Sequence, residues 1–146
     1  MKKPNCIFCQ FAGPKKEKYR RLFESSDLYI LLSLNPQTPG HSLIIPKKHF
    51  NILSLVSPKE ISKLFNQAVT LGEQLMAKLG AKAYTLKVNN NLYQIENSGH
   101  LEHIHIHVIP RYKKQEKISE FPKKATVNKL KLIKKIILEG GDKYGK

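Results

Sequence analysis

At 146 residues the chain is long enough for one domain with a buried core. It contains no run of about 18 apolar residues, so no membrane span is expected. Its net charge of +15 is concentrated at the ends: residues 1–21 carry seven Lys or Arg against one acid and residues 111–146 twelve against four, whereas residues 22–110 carry seven against six. A nucleic-acid module would place basic residues around its recognition face. The basic ends could attract polyanions, including nucleic acid, non-specifically, or their charges could simply be solvated, so the charge alone identifies no partner.

The N-terminus predicts a cytoplasmic protein, and that location guides the interpretation of the two cysteines. The first ten residues, MKKPNCIFCQ, lack the apolar segment of a signal peptide. The two cysteines have Cys-x-x-Cys spacing. In a cytoplasmic protein this spacing is more typical of a metal or redox pair than of a structural disulfide.

Short strands separated by turns are predicted for the first fifty residues. Residues 19–24 indicate a short strand, and the dense apolar run 28–34 indicates a central strand. Residues 35–40 have the composition of a loop. A third strand is predicted over residues 42–45, where Pro46 ends it.

The clearest helix spans residues 58–79. Ser57 is a suitable N-cap, Pro58 fits the first helical position, Glu60 completes a capping box, and Gly80 ends the helix. Apolar residues recur at helical spacing and indicate a face that packs on a core: Ile61, Leu64, Phe65, Ala68, Leu71, Leu75, Met76 and Leu79.

The second half of the chain adds two strands and a helix. A fourth strand is predicted over residues 84–88 and a fifth in the histidine-rich stretch that ends at Pro110. Val127, Leu130, Ile133 and Ile137 indicate a C-terminal amphipathic helix closed by Gly140 and Gly141. About five strands joined mostly by short turns, with two helices, predict an α+β fold with helix packed on a mainly antiparallel sheet.

Histidine and β-branched residues alternate strictly from His103 to Val108, which is the period-two pattern of a half-buried strand. The apolar members are predicted to face the core, and His103, His105 and His107 form a row on the other face, about 6.5–7 Å between neighbours. Strand propensity does not favour histidine, and imidazole serves as nucleophile, acid, base or metal ligand near neutral pH. We therefore interpret the row as functional rather than structural.

Cys6 and Cys9 with two histidines predict a four-ligand metal site. A Cys-x-x-Cys turn lets two thiolates reach one ion, and structural zinc favours four tetrahedral nitrogen and sulfur ligands. His49 and one strand histidine could complete the set. A thioredoxin-like redox pair and two buried thiols are the alternatives; the redox pair would require a βαβ context, which is not evident.

The second predicted site carries out phosphoryl transfer. A histidine that attacks phosphorus forms a covalent phosphoramidate, and a neighbouring protonated histidine can stabilise the oxygens and protonate the leaving group. His105 is flanked by two such helpers, and backbone N–H groups near Ser98 and Gly99 could hold phosphate. A catalytic zinc site is the alternative, but such sites usually recruit carboxylates, and Glu102 is predicted on the opposite face from the histidines.

These motifs together resemble the histidine triad (HIT) family over residues 6–112. Residues 103–111, HIHIHVIPR, match the family's alternating histidine pattern, and residues 35–49, NPQTPGHSLIIPKKH, are similar to its second hallmark stretch. Residues 6–9, CIFC, are similar to the opening of many bacterial Hint-like members, which carry a Cys2His2 zinc site. Three matches in the family's order carry the resemblance.

The resemblance implies a five-stranded antiparallel sheet with a long helix and a C-terminal helix, dimerising to a ten-stranded sheet. It implies hydrolysis or transfer at the α-phosphate of a purine nucleotide, through a nucleotidyl-histidine intermediate on His105 assisted by His107. Family substrates include phosphoramidates, aminoacyl-adenylates and dinucleoside polyphosphates. In zinc-carrying members the structural Zn2+ ligands match Cys6, Cys9, His49 and His103.

The resemblance also assigns substrate-binding positions. An asparagine that approaches the phosphate matches Asn90, and the residues that line the base pocket match Ile7, Phe8, Phe11 and Leu31. Ser33 departs from the family, because many members have an acid there that holds the ribose hydroxyls. Ser98-Gly99-His100 replaces the usual Gly-Gln-Ser/Thr run, so that His100 takes the place of a phosphate-binding hydroxyl and would favour a more anionic substrate, such as a longer polyphosphate.

We therefore expect a HIT domain over residues 1–112, with the triad motif at 103–107, and a basic C-terminal extension with an amphipathic helix over residues 113–146. The leading interpretation is a zinc-containing cytoplasmic homodimer that hydrolyses or transfers purine nucleotides or their conjugates. A non-catalytic nucleotide-binding or interaction module of the same fold is the second interpretation, which Ser33 and His100 make credible. A polyanion-binding protein that acts through its basic ends is the third, and no membrane partner is expected.

Overall fold

The computed structural model describes residues 3–113 and 122–139, which contain three α-helices and five strands. Three short 3-10 turns, Lys18–Arg20, Leu53–Leu55 and Leu92–Gln94, also lie in these ranges. Within the described residues, no helix combines the length and apolar character needed to cross a membrane. The elements are α1 (Ile7–Gln10), β1 (Arg21–Glu24), β2 (Leu28–Leu32), β3 (Ser42–Pro46), α2 (Pro58–Leu79), β4 (Ala83–Val88), β5 (Ile106–Arg111) and α3 (Val127–Glu139).

The five strands form one antiparallel sheet in the order β1-β2-β3-β5-β4, which confirms the predicted α+β fold. β5 lies between β3 and β4, so that His107 is paired with Leu43 on one side and with Lys87 on the other. Directly opposed residues of antiparallel strands share a face of the sheet. The sheet therefore places a lysine next to a histidine of the triad.

The predicted long helix is confirmed from its first to its last residue. The Ser57 hydroxyl accepts a hydrogen bond from the Glu60 N–H, and the Glu60 carboxylate accepts one from the Ser57 N–H, so the capping box is complete. Gly80 ends the helix with φ +75°, a left-handed conformation that glycine adopts without a Cβ penalty. Gly72 lies where α2 meets β4, and a Cβ there would come within 2.5 Å of the Tyr84 ring.

Each face of the sheet carries an apolar core. The larger core lies between the sheet and the two long helices, and it includes Ile30, Ile44, Leu71, Leu75 and Ile106. On the opposite face a second core joins the N-terminal segment to β2 and β3, and its members are Phe8, Ala12, Tyr29, Leu31, Leu43 and Ile45. The N-terminal segment therefore packs on the face of the sheet that carries His107.

The histidine-rich strand begins later than predicted. The Ile104 N–H donates to Phe50 O at 2.7 Å, outside the strand ladder, and β5 begins at Ile106. The alternation of burial is nevertheless continuous, with Ile104, Ile106 and Val108 all in the larger core. The first strand is also shorter than predicted, because Lys18–Arg20 forms a 3-10 turn before β1.

The C-terminal helix packs on the body of the domain. Leu130, Ile133 and Ile137 are buried in the larger core. At the same contact the Lys134 ammonium donates to the backbone carbonyl of Lys18. The part of the basic N-terminal end around Lys18 and the helix from the basic C-terminal end are therefore neighbours in the fold. The predicted Gly140-Gly141 stop lies outside the described residues.

Candidate active site and metal centre

Four sulfur and nitrogen donors meet where the N-terminal segment contacts the loop after β3 and the start of the triad. Cys6, Cys9, His49 and His103 have ligand atoms within 4.8 Å of one another. Cys6 Sγ lies 3.3 Å and Cys9 Sγ 3.6 Å from His103 Nδ1, and Cys9 Sγ lies 3.4 Å from His49 Nδ1. Tetrahedral zinc with bonds of about 2.0–2.3 Å would hold its ligand atoms about 3.3–3.8 Å apart. The cluster therefore has the donor set and the size of a closed metal site.

The protonation of the cluster also fits a metal ion. His103 Nε2–H donates to the carbonyl of Pro46 at 2.8 Å, so Nδ1 keeps the lone pair that faces the thiols. Burial lowers the pKa of His103 to about 4 and lowers that of His49, so both rings are neutral at pH 7. Burial raises the pKa of Cys6, so a bound cation would displace a proton from its thiol. No carboxylate of the described residues joins the cluster, which disfavours a catalytic metal.

His105 presents the opposite nitrogen from His103. Its Nδ1–H donates to the backbone carbonyl of His103 at 2.8 Å, which leaves the lone pair on Nε2. Burial lowers the pKa of His105, with further lowering by the charges of His100 and Lys87, although the hydrogen bond to His103 acts in the opposite direction. The ring is therefore neutral at pH 7, with Nε2 available as a nucleophile.

A chain of hydrogen bonds fixes the tautomer of His107. The backbone N–H of Gln37 donates to His41 Nδ1 at 2.9 Å, so neutral His41 carries its proton on Nε2. His41 Nε2 lies 2.9 Å from His107 Nδ1 and donates to it, which leaves the His107 proton on Nε2. Burial, with the charges of His105, His41 and Lys87, lowers the pKa of His107 to about 2. His107 is therefore a neutral ring with one N–H to offer.

His41 is not among the predicted site residues, although it lies in the NPQTPGH segment that carries part of the family resemblance. Its side chain is 3% exposed, and burial lowers its pKa to about 4. A buried histidine that receives one hydrogen bond and donates another is an orienting group for His107.

The sheet order and the alternating histidines match a known domain. The HIT domain family matches residues 15–114. The chain belongs to the HIT family.

Three curated relatives show how far the similarity extends. An uncharacterized HIT-like protein of Methanocaldococcus jannaschii is 28% identical over 134 residues, which cover 90% of this chain and 98% of the relative. An adenylylsulfatase of Arabidopsis thaliana is 29% identical over 107 residues, covering 73% and 52%. An adenosine 5'-monophosphoramidase of Saccharomyces cerevisiae is 31% identical over 142 residues, covering 94% and 85%. The named activities differ, so membership of the HIT family does not by itself select one reaction.

The fold similarity extends to a solved structure. A Zn-bound histidine triad family protein from Mycobacterium smegmatis has a TM-score of 0.73 at 22% identity, covering 91% of this chain and 93% of that chain. At this level of identity the match concerns the HIT fold.

The base-pocket residues that the HIT resemblance suggested meet in the second core but differ in exposure. Phe8 is 5% exposed and packs edge-on against the rings of His103 and His105, at centroid distances of 5.7 and 5.1 Å. Leu31 is fully buried, Phe11 packs against the same core, and Ile7 is 39% exposed. Ile7 is therefore the member of this set that offers the most surface to a ligand, while Leu31 supports Phe8.

Ser33 and Asn90 bind backbone groups. The Ser33 hydroxyl is buried and accepts a hydrogen bond from the Asn35 N–H at 3.3 Å. The Asn90 carboxamide oxygen accepts one from the Leu53 N–H at 2.7 Å. Asn89 and Asn91 line a small cavity that His105 also borders. The structure therefore brings Asn89 and Asn91 beside the triad, whereas the Asn90 side chain stabilises the turn at Leu53.

The loop before the triad forms another wall of this cavity. The His100 side chain lines the cavity together with His105. The Ser98 hydroxyl accepts a hydrogen bond from the His100 N–H at 3.3 Å, and Gly99 has φ +71° with open space where a Cβ would lie. Of the three predicted loop positions, His100 therefore borders the same cavity as His105.

Lys87 is a second residue beside the triad that the sequence did not predict. It pairs with His107 across β4 and β5, and its charge contributes to the lowered pKa values of His41, His105 and His107, each of which is lowered mainly by burial. The alternation in β4 predicts the face of Lys87 only if the register with β5 is known. A long polar loop separates the two strands, so the sequence did not fix that register.

Proposed function

We propose that this HIT protein cleaves a conjugate of a purine nucleotide at its α-phosphate, through a covalent nucleotidyl intermediate on His105. The observation that supports this most directly is the His105 Nδ1–H bond to the His103 carbonyl, which directs a neutral Nε2 lone pair away from the backbone. The neighbouring His107 ring, 4.8 Å away between centroids, offers an N–H to the phosphate oxygens.

In this reaction the Nε2 lone pair forms a bond to the α-phosphorus while the bond from phosphorus to the leaving group breaks. Water then attacks the same phosphorus, and the bond to Nε2 breaks and returns its electrons to the ring. Because His107 is held by His41, its N–H is oriented before substrate arrives and needs no rearrangement during the reaction. Ile7 and the edge of Phe8 would contact the base, and Asn89, Asn91 and His100 would surround the phosphate.

We also propose that the resident metal is zinc, held by Cys6, Cys9, His49 and His103. Four protein ligands leave no open position, so the ion would supply structural stability only. It would fasten α1 to the triad and thereby hold Phe8 against the His105 ring. Native mass spectrometry of the purified protein should show one zinc per chain, and a metal-free protein with two intact thiols would contradict this assignment.

A covalent-intermediate experiment distinguishes the enzyme from a non-catalytic binding module. The full-length protein is mixed with adenosine 5'-phosphoramidate or with adenylyl sulfate, quenched within seconds, and analysed by intact-mass and peptide-mass measurement alongside an assay for AMP. We expect an added adenylyl mass on the peptide that contains His105, and AMP release. Binding of AMP with neither adduct nor AMP release from either conjugate would favour the non-catalytic module.

The family resemblance implied a dimer with a ten-stranded sheet, and we propose further that the two copies pair through β4. β4 is an edge of the sheet, and Phe65 and Val69 on α2 are 37% and 45% exposed. Exposed edges and apolar side chains of this kind are commonly covered by a partner. Light scattering should give twice the 16.7 kDa chain mass, and Val69→Glu should reduce it to the monomer mass; a monomeric wild-type protein would contradict the pairing.

A further inference from the structure

We propose that parts of the two basic ends of the chain form one surface that binds single-stranded nucleic acid. This surface, the basic groove, consists of Lys15, Lys16 and Lys18 of the N-terminal end, Lys131, Lys134 and Lys135 of α3, and Phe23 of β1. It lies at the β1 edge of the sheet, and β2 and β3 separate that edge from the strand that carries His107. The proposal therefore does not depend on the nucleotidyl transfer proposed above.

The fold brings the two groups of lysines together. The Lys134 ammonium donates to the carbonyl of Lys18, 116 positions away in the sequence, and α3 packs on the turn Lys18–Arg20. Lys131 lies three residues before Lys134 and four before Lys135, and residues with these spacings are neighbours on one face of a helix. Lys18, Lys131 and Lys135 are exposed. Charges that the sequence places at opposite ends therefore act at one place in the structure.

The charge of the basic groove is not neutralised by carboxylates. Among the residues that the structure describes, none of its six lysines forms an ion pair. Glu24 also lines the groove, but it is paired with Arg21 at 2.8 Å and with Lys47 at 3.3 Å. The surface is therefore complementary to a polyanion, whereas the net charge of +15 on each chain disfavours a second copy as its occupant.

An exposed aromatic side chain favours nucleic acid over a membrane as the polyanion. The groove has a volume of about 300 Å³ and is lined by Lys18, Lys134 and Phe23, which is 41% exposed. Proteins that bind single strands without sequence preference combine a positively charged groove with aromatic side chains on which bases stack. A bilayer presents a broad surface that does not enter a groove, and the bases of a duplex are already stacked on one another. An unpaired strand is therefore the occupant that would use both the charge and the ring.

The test measures binding of the full-length protein to a fluorescent oligouridylate of about 12 nucleotides, within the usual range of single-strand sites, by fluorescence anisotropy at several salt concentrations. Lys18→Gln/Lys134→Gln removes two charges that line the groove. Lys59→Gln/Lys82→Gln is the matched control, because it removes the same charge from exposed positions that do not line the groove. Lys15→Gln/Lys131→Gln is a second test pair that leaves the Lys134 contact with the Lys18 carbonyl in place.

We expect both test pairs to weaken binding by about tenfold at low salt. They should also make the slope of log K against log salt shallower by about 1.4, since each phosphate contact on a single strand contributes about 0.7. The control pair should change both quantities by much less. Equal effects in the test pairs and the control pair would overturn the proposal, because the net charge of the chain and not the groove would then bind the RNA.

The role of the ring is tested by two substitutions of Phe23. Phe23→Leu keeps an apolar side chain but removes the ring and should weaken binding by about tenfold, the loss expected for one base stacked on an aromatic side chain. Phe23→Tyr should retain the affinity. Unchanged binding in Phe23→Leu would overturn the assignment of the groove to nucleic acid. Binding to vesicles that contain phosphatidylserine, without binding to the oligouridylate, would overturn it in favour of a membrane surface.

Discussion

His103 and His105 lie two residues apart in one motif, yet they expose opposite ring nitrogens. His103 gives its Nε2–H to the Pro46 carbonyl and turns Nδ1 toward the two thiols. His105 gives its Nδ1–H to the His103 carbonyl and keeps Nε2 free. The two residues share a side chain, a neutral charge state and a neighbour in Phe8. The difference between the proposed metal ligand and the proposed nucleophile therefore comes from which ring nitrogen donates to a backbone carbonyl.

The site therefore has two halves, which should respond differently to substitution: one in stability and the other in turnover. The cysteine and histidine cluster fastens chain segments together, so its loss should act on stability. The half formed by His105, His107 and His41 holds the ring nitrogens of the proposed reaction, so changes there should act mainly on turnover. Variants that change one property and leave the other intact would sharpen the division.

The largest effect is expected for His105→Ala, because the proposed reaction proceeds through a covalent intermediate on this residue. The rate of AMP release should fall by about 10^4-fold or more, while zinc content and unfolding temperature stay near their wild-type values. Single-turnover assays measure the rate of AMP release, and metal analysis and thermal unfolding of the same samples measure the zinc content and the unfolding temperature. Near-normal turnover would show that the nucleophile is a different group.

Removal of the metal should act mainly on stability. A ligand that binds only the folded state, at a free concentration 1,000-fold above its Kd, adds about 4 kcal/mol to the free energy of unfolding. His103→Ala should lose the ion and most of that contribution, as measured by mass spectrometry and urea unfolding. His100→Ala, which changes a histidine outside the cluster, is the matched control and should keep its metal. Unchanged stability in His103→Ala would contradict a structural role.

His41→Ala should impair catalysis without removing the nucleophile. Loss of the donor to His107 Nδ1 frees the ring to change tautomer, and kcat should fall by about 10- to 100-fold, as for other orienting partners. His41→Gln can place an amide N–H near the same nitrogen, so it should recover part of the rate. Equal rates in the two variants would indicate that His41 acts through packing alone.

The smallest effect concerns acid stability. The pKa of His41 falls from its ordinary value of 6.5 to about 4 in the folded protein. The unfolded chain therefore binds more protons between these values, so the stability that neutral His41 contributes is present above pH 6.5 and is lost as the pH falls toward 4. The loss should be about 1 kcal/mol between pH 7 and pH 5.5. Urea unfolding of wild type and His41→Gln in the same metal state should show a smaller pH dependence in the variant, and identical slopes would exclude this contribution.

The sequence was most informative where local patterns decide the structure. The capping box at Ser57, the apolar stripe of α2 and the αL glycine at position 80 are local signals, and the helix has the predicted bounds. The two halves of the site were also visible, because their residues are chemically unusual for a strand or a turn.

The features that escaped prediction depend on contacts between distant segments. His41 acquires its role only when β3 lies beside β5, and Lys87 only through the register of β4 with β5. Asn89 rather than Asn90 lines the cavity beside the triad, because the Asn90 side chain accepts a hydrogen bond from the distant Leu53 N–H. The late start of β5 has the same origin, since Ile104 bonds to Phe50 instead of a neighbouring strand.

The contact between α3 and the turn at Lys18 joins two segments that both carry excess positive charge. Their mutual repulsion opposes docking of the helix, and burial of Leu130, Ile133 and Ile137 has to outweigh it. Screening shortens the reach of such repulsion from about 30 Å at 0.01 M salt to about 8 Å at 0.15 M. The C-terminal helix is therefore held more firmly at physiological ionic strength than in dilute buffer, a dependence that the nearly neutral centre of the domain does not share.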